Sequence, residues 1–339
     1  KDNYNMEVIW QLLKSENQNR FSYRDLLDNF FAEYRLLDLT KEVDERVLVD
    51  ARVELGLKYK EIKQLTWTGP RNITILELDL DYNRFTIEPF LANDRIDGLE
   101  DLKARVIKED ALAAINGGYF SYSGRPLGLL TLNSVIVSEP IKNRAALVLN
   151  DKGDILFDNI EWYGLINNKY RVTGVNRKPV TDEIVLFNNY YGKTTPELKS
   201  SIDAVSISGN KIKDVYRGTD NKGVEVNIPA GGYVFFLHGK SKRIVNDLKA
   251  DFKISYKDYY LPELKDVVTA LGAGPFLIKN GKIKITGKKE GFQPDILRGR
   301  SPRSAAAVTG DNRLLFITVD GRQPQLSIGM TLVELAQFM

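Results

Sequence analysis

The 339-residue chain contains no cysteine and a single histidine, His238. The first absence removes disulfides, thiolate metal sites and thiol nucleophiles together, and leaves the cellular compartment open. The second removes histidine-paired nucleophiles, two-histidine phosphodiesterase chemistry and multi-histidine zinc sites, since each needs imidazoles that are not there. His238 itself, in FFLHGKSKR, reads as a polar residue ending an apolar strand. An excess of one charge is lacking too: 48 Lys and Arg stand against 45 Asp and Glu. A net charge of +3, with no basic run longer than a few residues, gives no reason to expect nucleic acid or another polyanion as partner. No apolar run approaches the roughly 20 residues that span a bilayer. The start at Lys1, without methionine or signal sequence, reads as processed or trimmed.

At 43% hydrophobic, the chain can bury a sizeable core. Residues 1–56 read as helical. Met6, Ile9, Trp10 and Leu13 share one face, Leu27, Phe30, Phe31, Tyr34 and Leu37 a second, and Val43, Val47, Leu48, Ala51 and Leu55 a third that stops at Gly56. From Tyr59 the texture becomes period-2: NITILELDL and RFTIEPFLA read as strands joined through DYN, and GLEDLKARVIKEDALAAI as a helix running into a strand that delivers Asn116. GLLTLNSVIV, AALVLNDKGDILF, KPVTDEIVLFNNYYG, VEVNIPAGGYVFFLHGK and LGAGPFLIKNGKIKI carry further strand signals. Thr331 and Glu334 form a capping box ahead of Leu332, Leu335 and Ala336.

Strict strand-helix alternation is missing, so the fold class expected is α+β: a mixed, largely antiparallel sheet domain with packed helices over 57–339, preceded by the small helical segment. Long polar insertions between about Leu165 and Val268 suggest a subdomain, 165–268, within it.

Chemistry-bearing side chains gather at strand ends beside glycines: INGGYF with GRPLG, Arg144 in KNRAALV, GAGPFL at 272–277, and RSPRSAAAV followed by ITVDGRQPQ. A carboxylate at the mouth of a buried strand, Asp320, can act as base, nucleophile or metal ligand, and Arg322 beside it can grip a phosphate or carboxylate. The plain alternative is an Asp-Gly turn with its own salt bridge. Arg300 and Arg303 around Pro302 read as an anion clamp or as an exposed basic loop. Asn116 reads as a hydrogen-bonding wall residue or as a left-handed turn residue.

Taken together, LAAINGGYF, GLLTLNSVIVS, NRAALVLNDKGDI, GVNRKPVTDEIVLF, IPAGGYVFF, GAGPFLIKNGKI, RSPRSAAAV and LLFITVDGRQPQLSIGMTLVELAQFM resemble, in order, the blocks of the phosphodiester glycosidases related to N-acetylglucosamine-1-phosphodiester α-N-acetylglucosaminidase. The resemblance implies cleavage of a sugar-1-phosphate linkage outside the cytoplasm or at the cell envelope, by a secreted bacterial hydrolase acting on a glycopolymer or exopolysaccharide. It places Asp320, Arg322 and Asn116 in the catalytic centre, and Gly117, Gly118, Phe120, Arg144, Arg303, Ser304 and Gly321 against substrate. No cofactor is required by it; Ca²⁺ or Mg²⁺ would suit the oxygen ligands available. The family pattern continues after the GMTLVELAQFM helix into a strand and a glycine-rich loop, so a C-terminal fragment or partner completing the domain is expected. The rival expectation is a glycan- or wall-binding protein that keeps the fold without turnover.

Overall fold

The structure, a computed structural model, describes residues 43–82, 85–198, 200–219 and 223–339. The helical stripes from Met6 to Leu37 lie outside the described residues. In chain order, β1 (Val43–Glu54), β2 (Leu57–Thr66) and β3 (Gly69–Asp79) form a meander, followed by helix α1 (Leu102–Lys108). Next come β4 (Leu130–Leu132), β5 (Val135–Ser138), β6 (Ala145–Asn150), β7 (Ile155–Asn159), β8 (Glu161–Ile166), β9 (Tyr170–Val172), β10 (Gly174–Val175) and β11 (Ile184–Asn188). They are followed by β12 (Ile202–Ser208), β13 (Lys211–Tyr216), β14 (Tyr233–His238), β15 (Tyr256–Leu261), β16 (Val267–Gly272) and a small hairpin of β17 (Ile278–Lys279) and β18 (Lys282–Ile283). Helix α2 (Pro294–Arg298), β19 (Arg303–Val308), β20 (Arg313–Val319) and helix α3 (Leu332–Phe338) complete the order.

These strands build sheets in the orders β1-β2-β3-β20-β19, β10-β11-β14-β12-β13, β5-β4-β16-β6-β7 and β15-β8-β9. Among the described residues, pairing is antiparallel except between β10 and β11. The sheet-dominated, antiparallel expectation holds, with helices fewer and shorter than expected. The largest core cluster draws on Leu129, Ala146 and Val148 as well as Val205, Phe235 and Leu237, so one core runs across residue 165.

Three local readings are corrected. The stripe from Val43 to Leu55 is a strand: β1 pairs with β2 from Val43↔Thr66 to Glu54↔Leu57. Val47, Val49, Ala51 and Val53 alternate, and β-branched side chains fit a pleated surface better than a helix. Gly56, at φ +86°, closes the hairpin turn instead of capping a helix. Second, RFTIEPFLA forms no strand over its described residues; Phe85 and Ile87 pack on Leu57, Leu78 and Leu314, and the edge of β3 is taken by β20. Third, α1 is short. Asp101 caps it by accepting from the Ala104 amide at 2.9 Å, and the helix ends before Asp110, whose φ is +51°. Residues 111–119 then run as irregular chain, so no strand delivers Asn116.

Helix α3 forms as its capping box requires, with Thr331 accepting from the Glu334 amide and Glu334 reaching back to the Thr331 amide. At seven residues it is too short to stand alone. Burial of Leu332, Leu335 and Ala336 against Ile62, Ile73, Ile317 and Val319 holds it on one face of the first sheet, at about 1.5–3 kcal/mol for each large side chain. The opposite face of that sheet stays open at one end.

Candidate functional site

The register of the first sheet decides which side chains share that open face. Glu61 opposes Thr74, Thr74 opposes Thr318, and Thr318 opposes Ser304, so a polar row crosses four strands. The next row, Tyr59, Leu76 and Phe316, is apolar except for the tyrosine hydroxyl. Ile115 and its neighbours pass over these rows, enclosing a cleft of about 290 Å³ lined by Tyr59, Thr74, Leu76, Ile115, Phe316 and Thr318. Asn116 follows Ile115 directly and Asp320 stands two residues beyond Thr318; neither lines the cleft itself, and both are exposed. Tyr59 donates to Glu61, which raises its phenol above the ordinary value, with burial, the charge of Glu61 and the more distant charge of Asp320 acting the same way.

The end of β20 is held firmly. The Asp320 amide donates to the Asn72 carbonyl at 3.0 Å, and the Asp320 carbonyl accepts from the buried Ser327 hydroxyl at 2.6 Å. The same hydroxyl oxygen accepts from the Asn72 amide at 3.0 Å, so Ser327 ties the following loop to β3. Gly321 is fixed by packing: a Cβ there would lie 2.6 Å from the Pro302 nitrogen. The left-handed residue of this turn is Arg322, at φ +61°, a conformation unfavourable for a side chain of its size. No Asp320–Arg322 salt bridge is present, so the reading as a self-paired Asp-Gly turn is overturned.

A second group of side chains lies where β19 begins, opposite Val319. Arg303 donates to the carbonyls of Met330 at 3.0 Å, Ile296 at 3.1 Å and Gly299 at 2.7 Å. Burial lowers its guanidinium from the ordinary value, Tyr119 opposes that shift, and the charge of Arg322 adds to it. Arg144 donates to the Glu290 carbonyl at 2.8 Å and lies 3.6 Å from the centre of the Phe292 ring and 6.0 Å from that of Tyr119. The Tyr119 hydroxyl donates to the Gly274 carbonyl at 3.1 Å, and its ring packs on Phe292 at 5.5 Å. Burial raises the Tyr119 phenol, while Arg303 and Arg144 pull it down. Tyr119 thus sits in the field of two arginines, and Arg322 is within range of one of them. Among the described residues none of the three arginines forms an ion pair with a carboxylate. A guanidinium whose hydrogen bonds go to carbonyls is satisfied in geometry but keeps its charge, as an anion site requires.

Arg144 and Arg303 thus both act on Tyr119 and Arg322 on Arg303, while Asn116 follows the cleft-lining Ile115 in the chain, Ser304 pairs with the lining Thr318, and Asp320 ends the same strand as Thr318. Arg300 departs from expectation: it gives both terminal nitrogens to Glu334, at 2.8 and 2.7 Å, and serves the α3 clamp instead of a ligand. Asn116, Gly117 and Gly118 all avoid positive φ, so the stretch is no left-handed turn. Gly118 serves a close backbone approach, since a Cβ there would lie 2.4 Å from the Gly272 carbonyl oxygen. Phe120 is 59% exposed, and its neighbour Tyr119 turns to the arginines. Tyr119, Glu290 and Phe292 escaped the sequence reading; the alternation within GGYF, one ring inward and one outward, was the available signal. His238 ends β14 as read, with Nδ1 3.1 Å from the Val180 carbonyl. Among the described residues no three His, Asp or Glu side chains converge on a point a metal could occupy.

No curated protein matches the chain. Among solved structures, a hypothetical protein from Synechocystis aligns with a TM-score of 0.72 at 22% identity, covering 86% of this chain and 55% of that one. This chain therefore spans about half the length of that relative. An exported-protein candidate of Burkholderia pseudomallei aligns at 0.67 and 15% identity, over 87% of this chain and 88% of that one. The catalytic domain of zebrafish N-acetylglucosamine-1-phosphodiester alpha-N-acetylglucosaminidase, auto-inhibited by its pro-peptide, aligns at 0.38 and 13% identity, over 89% and 68%. The first two share the fold. Residues 204–339, from β12 to α3 and including Arg303, Ser304, Asp320 and Arg322, match the phosphodiester glycosidase family, whereas Asn116 and Arg144 lie before the matched stretch. The likeness to the phosphodiester glycosidase family is thus confined to residues 204–339, less than half of the chain.

Proposed function

We propose that the protein is a secreted bacterial hydrolase that cleaves a sugar-1-phosphodiester, the glycosidic bond to phosphate, in a cell-envelope glycopolymer or exopolysaccharide. One observation carries the reading: Arg144 and Arg303 flank Tyr119, with Arg322 in range of Arg303, and among the described residues none of the three has a carboxylate partner, at the sheet end where Asp320 leaves β20. In the reaction the bond from the anomeric carbon to the phosphate oxygen breaks and its electrons stay with the phosphate. The departing phosphate monoester is a stable anion, so charge stabilisation by fixed arginines contributes more than strong acid assistance. Asp320 faces the positive character that builds on the sugar, and Asn116 and Ser304 offer hydrogen bonds to its hydroxyls. Water adds its oxygen to the anomeric carbon and releases one proton, giving the free sugar. The extracytoplasmic setting is supported by the Burkholderia pseudomallei neighbour, an exported-protein candidate.

The test is release of free sugar from an alkyl phosphodiester of N-acetylglucosamine 1-phosphate, or of another hexose 1-phosphate in a panel. Asp320→Asn is expected to lower turnover by about 10²–10⁴-fold while binding persists. Turnover untouched by Asp320→Asn would sink the assignment. Binding by the unaltered chain without any turnover would favour a glycan-binding protein on the same fold.

A further inference from the structure

The net charge of +3 conceals a local concentration. Between Val267 and Lys289 the chain carries five lysines, Lys279, Lys282, Lys284, Lys288 and Lys289, and no Asp or Glu, so this one stretch is more positive than the whole protein. The fold gathers them. Lys279 pairs with Lys282 across the β17–β18 hairpin, the Lys284 amide donates to the Leu277 carbonyl at 2.8 Å, and the Lys289 amide donates to the Thr286 carbonyl at 2.8 Å. Lys279 lies 4.0 Å from Asp158 and over the Phe276 ring. Lys282, Lys284, Lys288 and Lys289 are exposed and form no ion pair among the described residues.

The strip leads into the arginine cluster. Glu290, next after Lys289, gives its carbonyl to Arg144, and Phe292 supplies the ring on which Arg144 rests. The Glu290 carboxylate does not neutralise the lysines, because it is buried and accepts from the amides of Ala145 and Phe276, both at 2.9 Å, and from the Thr286 hydroxyl. Four exposed cations without an ion pair among the described residues therefore lead in the chain directly to the residues that hold Arg144.

We infer that the Lys282–Lys289 strip engages further phosphate groups of a polyanionic, phosphodiester-linked glycopolymer, so that the substrate carries repeating charge and is held at several phosphates at once. This rests on the function proposed above and narrows its substrate class. Clustered cations beside a site raise the local concentration of an anionic polymer and make its capture salt-dependent. The stretch Ile278–Lys289 contains no aromatic residue, so it offers bases nothing to stack on and favours a phosphate-bearing glycan over a single-stranded nucleic acid.

The experiment compares the chain carrying Asp320→Asn, which silences turnover, with the same chain also carrying Lys282→Gln, Lys284→Gln, Lys288→Gln and Lys289→Gln. The probes are poly(glycerol phosphate), glycerol 3-phosphate, neutral dextran and a single-stranded oligonucleotide. Loss of four phosphate contacts is expected to weaken poly(glycerol phosphate) at least tenfold at low salt and to make the plot of log affinity against log salt shallower by about 3. Binding of glycerol 3-phosphate should hold, and four Lys→Arg changes should retain the polymer, which separates lost charge from lost folding. Equal polymer affinity in the two chains would overturn the inference, as would an oligonucleotide bound as tightly as the polymer. Lysine-dependent polymer binding together with absent hydrolysis would overturn the catalytic reading alone and leave the strip standing.

Discussion

Arg300 and Arg303 are three residues apart and face different surroundings. Arg300, with Arg71, closes on the carboxylate of Glu334 and fastens α3 to the first sheet. Arg303 reaches three backbone carbonyls and no carboxylate. The same division runs through the molecule: Arg105 meets Asp94, Glu100 and Glu109, and Arg177 meets Glu139 and Glu183, whereas Arg144 and Arg322 have no acid partner among the described residues. A buried or half-buried guanidinium normally carries its counter-ion with it, because an uncompensated charge is costly to desolvate. Among the half-buried arginines, Arg144 and Arg303 lack the counter-ion that Arg177 and Arg300 carry, a difference that fits the external anion of the proposed function.

The comparison breaks most visibly at the clamp. Glu334→Gln should destabilise the protein by about 3 kcal/mol, since Arg71 is left buried without an opposing charge; urea titration reads this, and a loss below about 1 kcal/mol would erase the distinction. Burial pushes the Glu334 carboxyl up, but Arg300, Thr331 and Arg71 outweigh it and hold the group below the ordinary 4.5. A depressed carboxyl stabilises the fold above its unfolded value and loses that contribution as pH falls. The gap between wild type and Glu334→Gln should therefore close on acidification below about pH 4.5.

Arg322→Gln probes the other group. It should reduce sugar-phosphodiester hydrolysis by about 10²-fold, near 2.7 kcal/mol, while the urea midpoint stays in place, because Arg322 is exposed and has no ion-pair partner among the described residues. A midpoint that falls along with activity would return Arg322 to the structural set.

The smallest effect concerns a carboxylate with no cation. Asp258 is half-buried and accepts from Tyr256 at 2.6 Å and Trp162 at 2.9 Å, both on the same oxygen. Burial raises it above the ordinary 3.8, and the two donors oppose this without prevailing. A raised carboxyl favours the fold below its unfolded value and forfeits that as pH rises through the folded one. Relative to Asp258→Asn, which keeps an acceptor for both donors, wild type should lose stability as pH climbs from about 4; stability curves with the same pH slope would show that the pocket tolerates the charge.

Much of this was legible in the sequence, and the failures have physical causes. Runs such as AALVLN and IVLFN, bounded by turn residues, became β6 and β11 because burial on both faces leaves little else for them to do, and LLFITV became β20 with one face on the core and one toward the cleft. The β1 misreading came from spacing: Val43, Val47, Ala51 and Leu55 recur every four residues, which satisfies both a helical turn and two strand steps, and only the intervening Val49 and Val53 settle it. Candidate arginines could be found beside strand ends. Their partners could not, because Glu334 chooses Arg300 over Arg303 through the placement of α3, which residue order does not reveal. Tyr119, Glu290 and Phe292 were hidden for the same reason: they are joined by contacts 146 to 173 positions apart in the chain.

Ser327 has one more consequence. Its hydroxyl fastens the two anchors of the loop, the Asp320 carbonyl and the Asn72 amide, and Gln323 pairs with Ser327 across the neck. Pro324, Gln325 and Leu326 project beyond that neck and are exposed. The loop is thus divided into a fixed socket and an interchangeable tip. If the proposed function holds, lengthening or replacing those three residues should alter substrate selection while Ser327 keeps the backbone of Asp320 in place.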